Sequence, residues 1–249
     1  MKNKTNTASK IIIALDVETK EEALFLVHQL KEADTFKIGL KLFIAQGPTL
    51  LQAISHLEKN VFLDLKLHDI PNTVAGAVKM AVRYGVSLLT IHASGGLEMM
   101  RWAAEAAKEE SLKGQKPRLL AVTVLTSLGD EDLKKIGMEG SAQTQVFRLT
   151  ALAKEAGLDG VVCSPQEISL VRQEIGSDFL IVTPGIRPSW TASHDQKRIM
   201  TPSSAIKKGA DYLVIGRPII KASSPRQAFL KICQELDGAI NAADSKNSS

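Results

Sequence analysis

Apolar runs of strand length alternate with segments of helical period from one end of the chain to the other. Residues 11–16 (IIIALD) are almost continuously apolar, as a strand covered on both faces should be. Thr19 then opens an amphipathic helix to about residue 31, with Glu21 and Glu22 in its first turn, where the helix dipole favours them. Thr35–Gly39 reads as a short second strand with Lys37 inside it, and a helix follows over roughly 48–59. The third strand covers 61–67. A helix over 74–84 comes next, with Asn72 as its candidate cap. Leu88–His92 is the fourth strand and precedes an alanine-rich helix. The fifth covers 119–125 and ends in Thr126-Ser127; a loop and a helix over about 142–155 follow it. Residues 160–163, 180–183 and 212–215 supply the last three strands.

Eight strand–helix units in a chain of 249 residues match a (β/α)8 TIM barrel in number and size, which is the expected α/β fold. A doubly wound sheet is the alternative. It places a glycine fingerprint after its first strand, where this chain has Leu15-Asp16-Val17-Glu18. No linker divides the sequence. A single barrel domain is expected over 10–240, between polar tails at 1–9 and 241–249.

Composition narrows the function. Hydrophobic residues make up 44%, enough for a sizeable core, while aromatics at 4% are too few for a base-stacking platform. A net charge of +4, spread without any long basic run, suits anionic small molecules and argues against nucleic acid. Cys163 and Cys233 have no CxxC spacing, so no zinc or redox motif is expected, and Cys163 reads as a buried inert thiol. The polar first ten residues lack a signal-peptide core, and no apolar run reaches the ~18 residues of a membrane span. The expectation is a cytoplasmic protein with no membrane contact.

Polar groups collect at the strand ends: Asp16, Lys37, Asp64 with Lys66, His92, Thr126, Thr183 and Arg217. On a parallel barrel these ends converge at one mouth, where active sites are built. The densest stretch is FLDLKLHDIPNTV, residues 62–74. Asp64 and Lys66 are two apart and so share one side of the strand, and Asp69 follows where the chain leaves it. A structural ion pair is the plainer explanation, but burial makes such a pair costly. Two carboxylates around one lysine look more like a tuned site. His92 taken alone reads as structural. A second group lies after the seventh and eighth strands: Pro184-Gly185-Ile186-Arg187 and Gly216-Arg217. Barrels bind phosphate there, with backbone N–H groups reached past glycine and an arginine fork. Between them, residues 188–201 form a long polar loop containing Gln196, which suits a lid over a phosphate.

These residues resemble the orotidine 5′-phosphate decarboxylase family. DLKLHDIPNT (64–73) matches its D-x-K-x-x-D signature, a motif shared with related barrels acting on sugar phosphates. TPGIR (183–187), the later Asp195-Gln196, HASGG (92–96) and Ile215-Gly216-Arg217 make the match more specific and extend it over nearly the whole chain. The resemblance implies loss of CO2 from orotidine 5′-monophosphate to give uridine 5′-monophosphate, with no cofactor and no metal. It implies Lys66 as the proton donor to C6, Asp64 beside the departing carboxylate, and Lys37 and Asp69 completing an alternating array of charges. It further implies ribose contacts from Asp16 and Lys37, a pyrimidine contact from Thr126, and phosphate contacts from Arg187, Gln196, Gly216 and Arg217. A homodimer follows from the same resemblance, with Asp69 and Thr73 reaching the neighbouring site. Lys41 and the His194-Asp195-Gln196 lid depart slightly from the family pattern.

Three other readings of the residues stand beside this one. A metal-dependent sugar-phosphate enzyme needs carboxylates free for the metal. A Schiff-base aldolase needs a lysine with a lowered pKa, which flanking carboxylates oppose. A nucleotide-binding barrel without activity would not need the full Lys–Asp set.

Overall fold

The computed structural model describes residues 7–111, 116–190 and 200–246. Strand and helix alternate as β1 (Ile11–Ala14), α1 (Lys20–Gln29), β2 (Thr35–Gly39), α2 (Leu40–Gln46), α3 (Thr49–Ser55), β3 (Asn60–Leu67), α4 (Pro71–Arg83), β4 (Leu88–His92) and α5 (Leu97–Ser111). The chain continues through β5 (Arg118–Val122), α6 (Asp130–Lys135), α7 (Ala142–Glu155), β6 (Gly160–Val162), α8 (Ile168–Ile175), β7 (Leu180–Thr183), α9 (Pro202–Lys207), β8 (Tyr212–Ile215), α10 (Arg217–Ile220) and α11 (Pro225–Lys246). The eight strands pair in parallel, each with its sequence neighbour, and β8 returns to β1 to close the barrel. The expected TIM barrel is therefore the fold.

Strand parity sorts the side chains into two cores. Ile11, Ile13, Leu15, Phe36, Ile38, Leu63, Leu89 and Ile91 face outward and pack under the helices in one large apolar layer. Ile12, Ala14, Phe62, Leu88, Leu120, Val182 and Val214 face inward and fill the barrel. Both faces of each strand are thus buried, which is why the strands read as continuous apolar runs rather than alternating ones. Each fully buried aliphatic or aromatic side chain contributes about 1.5–3 kcal/mol. Gly160 of β6 pairs with Leu180 of β7. A Cβ there would lie 2.5 Å from the Leu180 carbonyl oxygen.

The N-terminal rim of the barrel is closed by side chains that satisfy strand ends. Asp159 accepts the Leu119 N–H (2.8 Å) and pairs with Lys116. Asp211 accepts the Ile181 N–H (2.7 Å) and is held by Arg172, whose guanidinium also donates to the Gly209, Gly176 and Phe179 carbonyls. At this rim Asp159, Lys116, Asp211 and Arg172 are engaged with one another and with strand ends. The opposite rim differs.

Several boundaries depart from the sequence reading. β5 ends at Val122 rather than at residue 125, because the chain turns at Thr126-Ser127 and releases 123–129 as a loop. Asn72 does not cap α4. The helix starts at Pro71 with Ile70 as its cap residue, since proline at the first helical position costs no hydrogen bond. α2, absent from the sequence reading, occupies the stretch straight after β2. Thr19 caps α1 as expected, in a capping box with Glu22. Thr7–Lys10 form a 3-10 turn with Thr7 buried, and α11 continues to Lys246.

Candidate active site

Inward parity carries the site. On β3, Phe62 is part of the barrel floor, so Asp64 and Lys66 stand above it on the same side. On β2 the inward residue is Lys37, and on β4 Thr90 and His92 stand above Leu88. The lower inward positions are apolar and the upper ones polar. The barrel therefore opens at its C-terminal end into a cavity of about 290 Å³. Asp16, Lys37, Asp64, Lys66, Thr126, Arg187, Gly216 and Arg217 all line it. Eight of the residues expected from the sequence are thus brought to one place by six different strand ends.

Asp64 is the hub. Its Oδ1 accepts from Lys66 Nζ at 2.8 Å and from Thr90 Oγ1 at 3.0 Å, and its Oδ2 lies 3.3 Å from Lys37 Nζ. Lys37 Nζ in turn reaches Asp16 Oδ1 at 3.8 Å. The Asp64 side chain is 14% exposed, so desolvation pushes its carboxyl upward. Lys37 and Lys66, helped by hydrogen bonds from Lys66 and Thr90, outweigh that and hold it below the usual carboxylate range. Asp64 is thereby favoured in its ionised form between the two lysine side chains. Among the described residues no cluster of three His, Cys, Asp or Glu side chains gathers to hold a metal.

Lys66 has an unusual backbone. Its φ is +53°, in the left-handed region that side chains with a Cβ avoid at a cost of about 1–2 kcal/mol. The cause lies in the sheet. Leu63 is in register with Leu89 and Leu67 with Ile91, so β3 takes four steps where β4 takes two. Two extra residues are accommodated at Asp64–Lys66, and the strand bulges into the mouth. Bulges beside active sites re-aim a side chain. Here the bulge puts the Lys66 Nζ against Asp64, with the Lys66 side chain 30% exposed and lining the cavity.

The loops after β7 and β8 line the far end of the same cavity. Gly216 lies against β1; a Cβ there would meet Asp16 Oδ2 at 3.1 Å and Ala14 Cβ at 3.2 Å. It precedes α10, with Arg217 as that helix's first residue. The loop after β7 turns at Gly185 (φ +76°), and the Arg187 N–H donates to the Met200 carbonyl at 2.9 Å, joining the two ends of the long loop. Gln196 lies outside the described residues.

Asp69 and Thr73 are not in the cavity. Both are exposed, Asp69 on the turn after β3 and Thr73 in the first turn of α4. Asp69 Oδ1 accepts its neighbour's N–H, from Ile70, at 2.6 Å. Within one chain the row of charges therefore runs Asp16–Lys37–Asp64–Lys66 and stops. Lys41, the departure after β2, pairs with Glu18 at 2.6 Å on the surface. His92 stacks near His68, with ring centroids 5.3 Å apart; burial, then His68 and Lys66, depress its pKa, so the neutral ring is favoured. Its Nδ1 is buried without a hydrogen-bond partner.

Thr90 is the site residue that the sequence reading missed. Its signal was present in LLTIH: one hydroxyl at inward parity inside an otherwise apolar strand, two residues before His92. This mouth, with paired lysines around one carboxylate and arginine and glycine at its far end, is found on a chain whose residues 9–232 match the model of the Orotidine 5′-phosphate decarboxylase / HUMPS family. The chain belongs to that family. Orotidine 5′-phosphate decarboxylase from Gloeothece citriformis is 50% identical over 230 residues, covering 91% of this chain and 97% of its own. The protein of the same name from Trichlorobacter lovleyi is 52% identical, covering 93% and 97%. Among solved structures, orotidine 5′-phosphate decarboxylase from Lactobacillus acidophilus superposes with a TM-score of 0.83 at 36% identity, covering 92% of this chain and 99% of that one.

Proposed function

We propose that this chain converts orotidine 5′-monophosphate to uridine 5′-monophosphate and CO2 without a cofactor, with Lys66 supplying the proton to C6. The observation that carries the reading is the half-buried Lys37–Asp64–Lys66 row, joined at 3.3 and 2.8 Å at the mouth of a barrel of this family. In the reaction the bond from C6 to the carboxylate breaks and CO2 leaves. The electron pair stays on C6, which no ring carbonyl conjugates with directly. An ammonium fixed beside C6 stabilises that pair before the event and costs no reorganisation during it. The proton then moves from Lys66 Nζ to C6, and water restores the ammonium.

Asp64 has two tasks in this scheme. It holds Lys66 and Lys37 in place, and its charge faces the substrate carboxylate. Repulsion between the two anions falls as charge leaves the carboxylate carbon. Asp16 and Lys37 take the ribose and Thr126 the pyrimidine. Arg187, Gly216 and Arg217, together with Gln196, take the phosphate. Binding at that remote end then serves the chemistry at C6.

The same reading makes the working unit a homodimer in which Asp69 and Thr73 serve the neighbouring cavity. What supports it is that both are exposed on the rim, next to a 66%-exposed Ile70, while Met80 of α4 and Trp102 of α5 leave further apolar surface outside. α4 and α5 pack closely on one another, so these residues share one side of the barrel. No described helix is long and apolar enough to cross a membrane. The cytoplasm is the proposed compartment, and both cysteines are free and buried there. Burial pushes the Cys163 thiol far up and Cys233 up to about 12, so neither is a reactive thiolate.

The test is Lys66→Ala. It is expected to lower kcat by at least about a thousandfold while uridine 5′-monophosphate still binds within about tenfold of wild type. Turnover by the wild type in D2O should leave one deuterium at C6. A variant that turns over near the wild-type rate removes Lys66 from the proposed role.

A further inference from the structure

We propose that Thr90 is a positioning residue for the reaction. Its hydroxyl replaces a ladder hydrogen bond that the β3 bulge removes, and so fixes the Lys66 backbone and the Asp64 carboxylate together. This rests on the assignment of Lys66 as proton donor. The argument starts from the sheet. Asp64, Leu65 and Lys66 have no register partner on β4, because the pairing jumps from Leu63–Leu89 to Leu67–Ile91. The Lys66 N–H is therefore left without a strand carbonyl across from it. It donates instead to Thr90 Oγ1 at 2.9 Å. The same hydroxyl donates to Asp64 Oδ1 at 3.0 Å. A hydroxyl has one proton to give and lone pairs to accept with, and both capacities are used here.

Thr90 is fully buried, so no water competes for either bond. Its parity aims it inward, directly above Leu88 of the barrel floor and level with the bulge. It thus grips Lys66 at its left-handed backbone and, through Asp64 Oδ1, at its ammonium, since that oxygen also accepts from Lys66 Nζ at 2.8 Å. A lysine side chain is long and rotamer-rich. A proton donor must nevertheless be held in one place, and a small misplacement is costly. β-Branching adds to the effect, because it restricts the Thr90 χ1 and keeps the hydroxyl aimed at the bulge.

Thr90→Val keeps the shape and removes the hydroxyl; Thr90→Ser keeps the hydroxyl and removes the methyl. Thr90→Val is expected to lose about 10- to 100-fold in kcat, with KM and the affinity for uridine 5′-monophosphate changed by no more than about threefold. Thr90→Ser is expected to recover most of kcat despite its poorer packing. Should Thr90→Val not fold, Thr90→Ala takes its place in the comparison. Unimpaired turnover in the variant without the hydroxyl overturns the proposal, and so does an equal loss in the serine variant, which makes the role one of packing. Lys66→Ala is measured alongside. If it stays active, the reading of Lys66 fails and this proposal with it. If it is inactive beside an unimpaired Thr90→Val, only Thr90 falls.

Discussion

One carboxylate organises the cavity, and its ionisation is where pH should act. Asp64 is held below the usual carboxylate range by two lysines, against the opposing pull of burial. A carboxyl depressed in the folded state stabilises the fold above its ordinary pKa, and that contribution is lost as pH falls through the depressed value. Asp64→Asn cannot titrate and leaves both lysines without their counter-charge. Its deficit in unfolding free energy against wild type should be full at neutral pH and shrink in acid. Urea denaturation at a series of pH values measures this, and a deficit independent of pH contradicts it. At this scale the sequence was informative. The spacing of Asp64 and Lys66 already put them on one side of a strand, and the ends of other strands named Asp16, Lys37, Thr126, Arg187 and Arg217. Thr90 escaped because a lone threonine in a strand is ordinary; only the bulge opposite makes it matter.

At the scale of elements, the strands were legible because burial on both faces writes a continuous apolar run. Their ends were less so. The run from Leu119 to Leu125 stays apolar past the last ladder bond at Val122, since Val124 remains buried after the chain has left the sheet. The bulge in β3 was not legible at all. It depends on how β3 and β4 slip past one another, and no single strand records that. Glycine and arginine recur after β7 and β8, and the residues of both loops line one cavity. Gly216 is the tightest point of that site, with β1 directly beneath it. Gly216→Ala should force Asp16 or the turn aside and raise KM for the nucleotide by about tenfold or more, with a smaller effect on kcat. Steady-state kinetics decides it; a KM unchanged from wild type means that the approach to β1 is not needed for binding.

At the scale of the whole molecule, the charge row stops at Lys66, while Asp69 and Thr73 stand exposed on the rim beside Ile70. A second copy of the chain completes the row if the proposed dimer forms. Mixing inactive Lys66→Ala with inactive Asp69→Ala protein should then restore activity, because a hybrid dimer contains one site with both groups intact. With random exchange, about a quarter of the sites regain full function. No recovery after proven subunit exchange contradicts the shared site. In the sequence this expectation came from the family resemblance alone, since spacing and composition make Asp69 and Thr73 look like any exposed polar side chains.

The central claim, cofactor-free decarboxylation at this mouth, is met most directly by following the ultraviolet absorbance of orotidine 5′-monophosphate after adding catalytic amounts of the protein in EDTA. The account predicts that the orotate chromophore disappears completely and at the same rate with and without the chelator. A flat trace from protein that still binds uridine 5′-monophosphate would contradict it, leaving the barrel and nucleotide binding in place but assigning the lysine–aspartate row to other work.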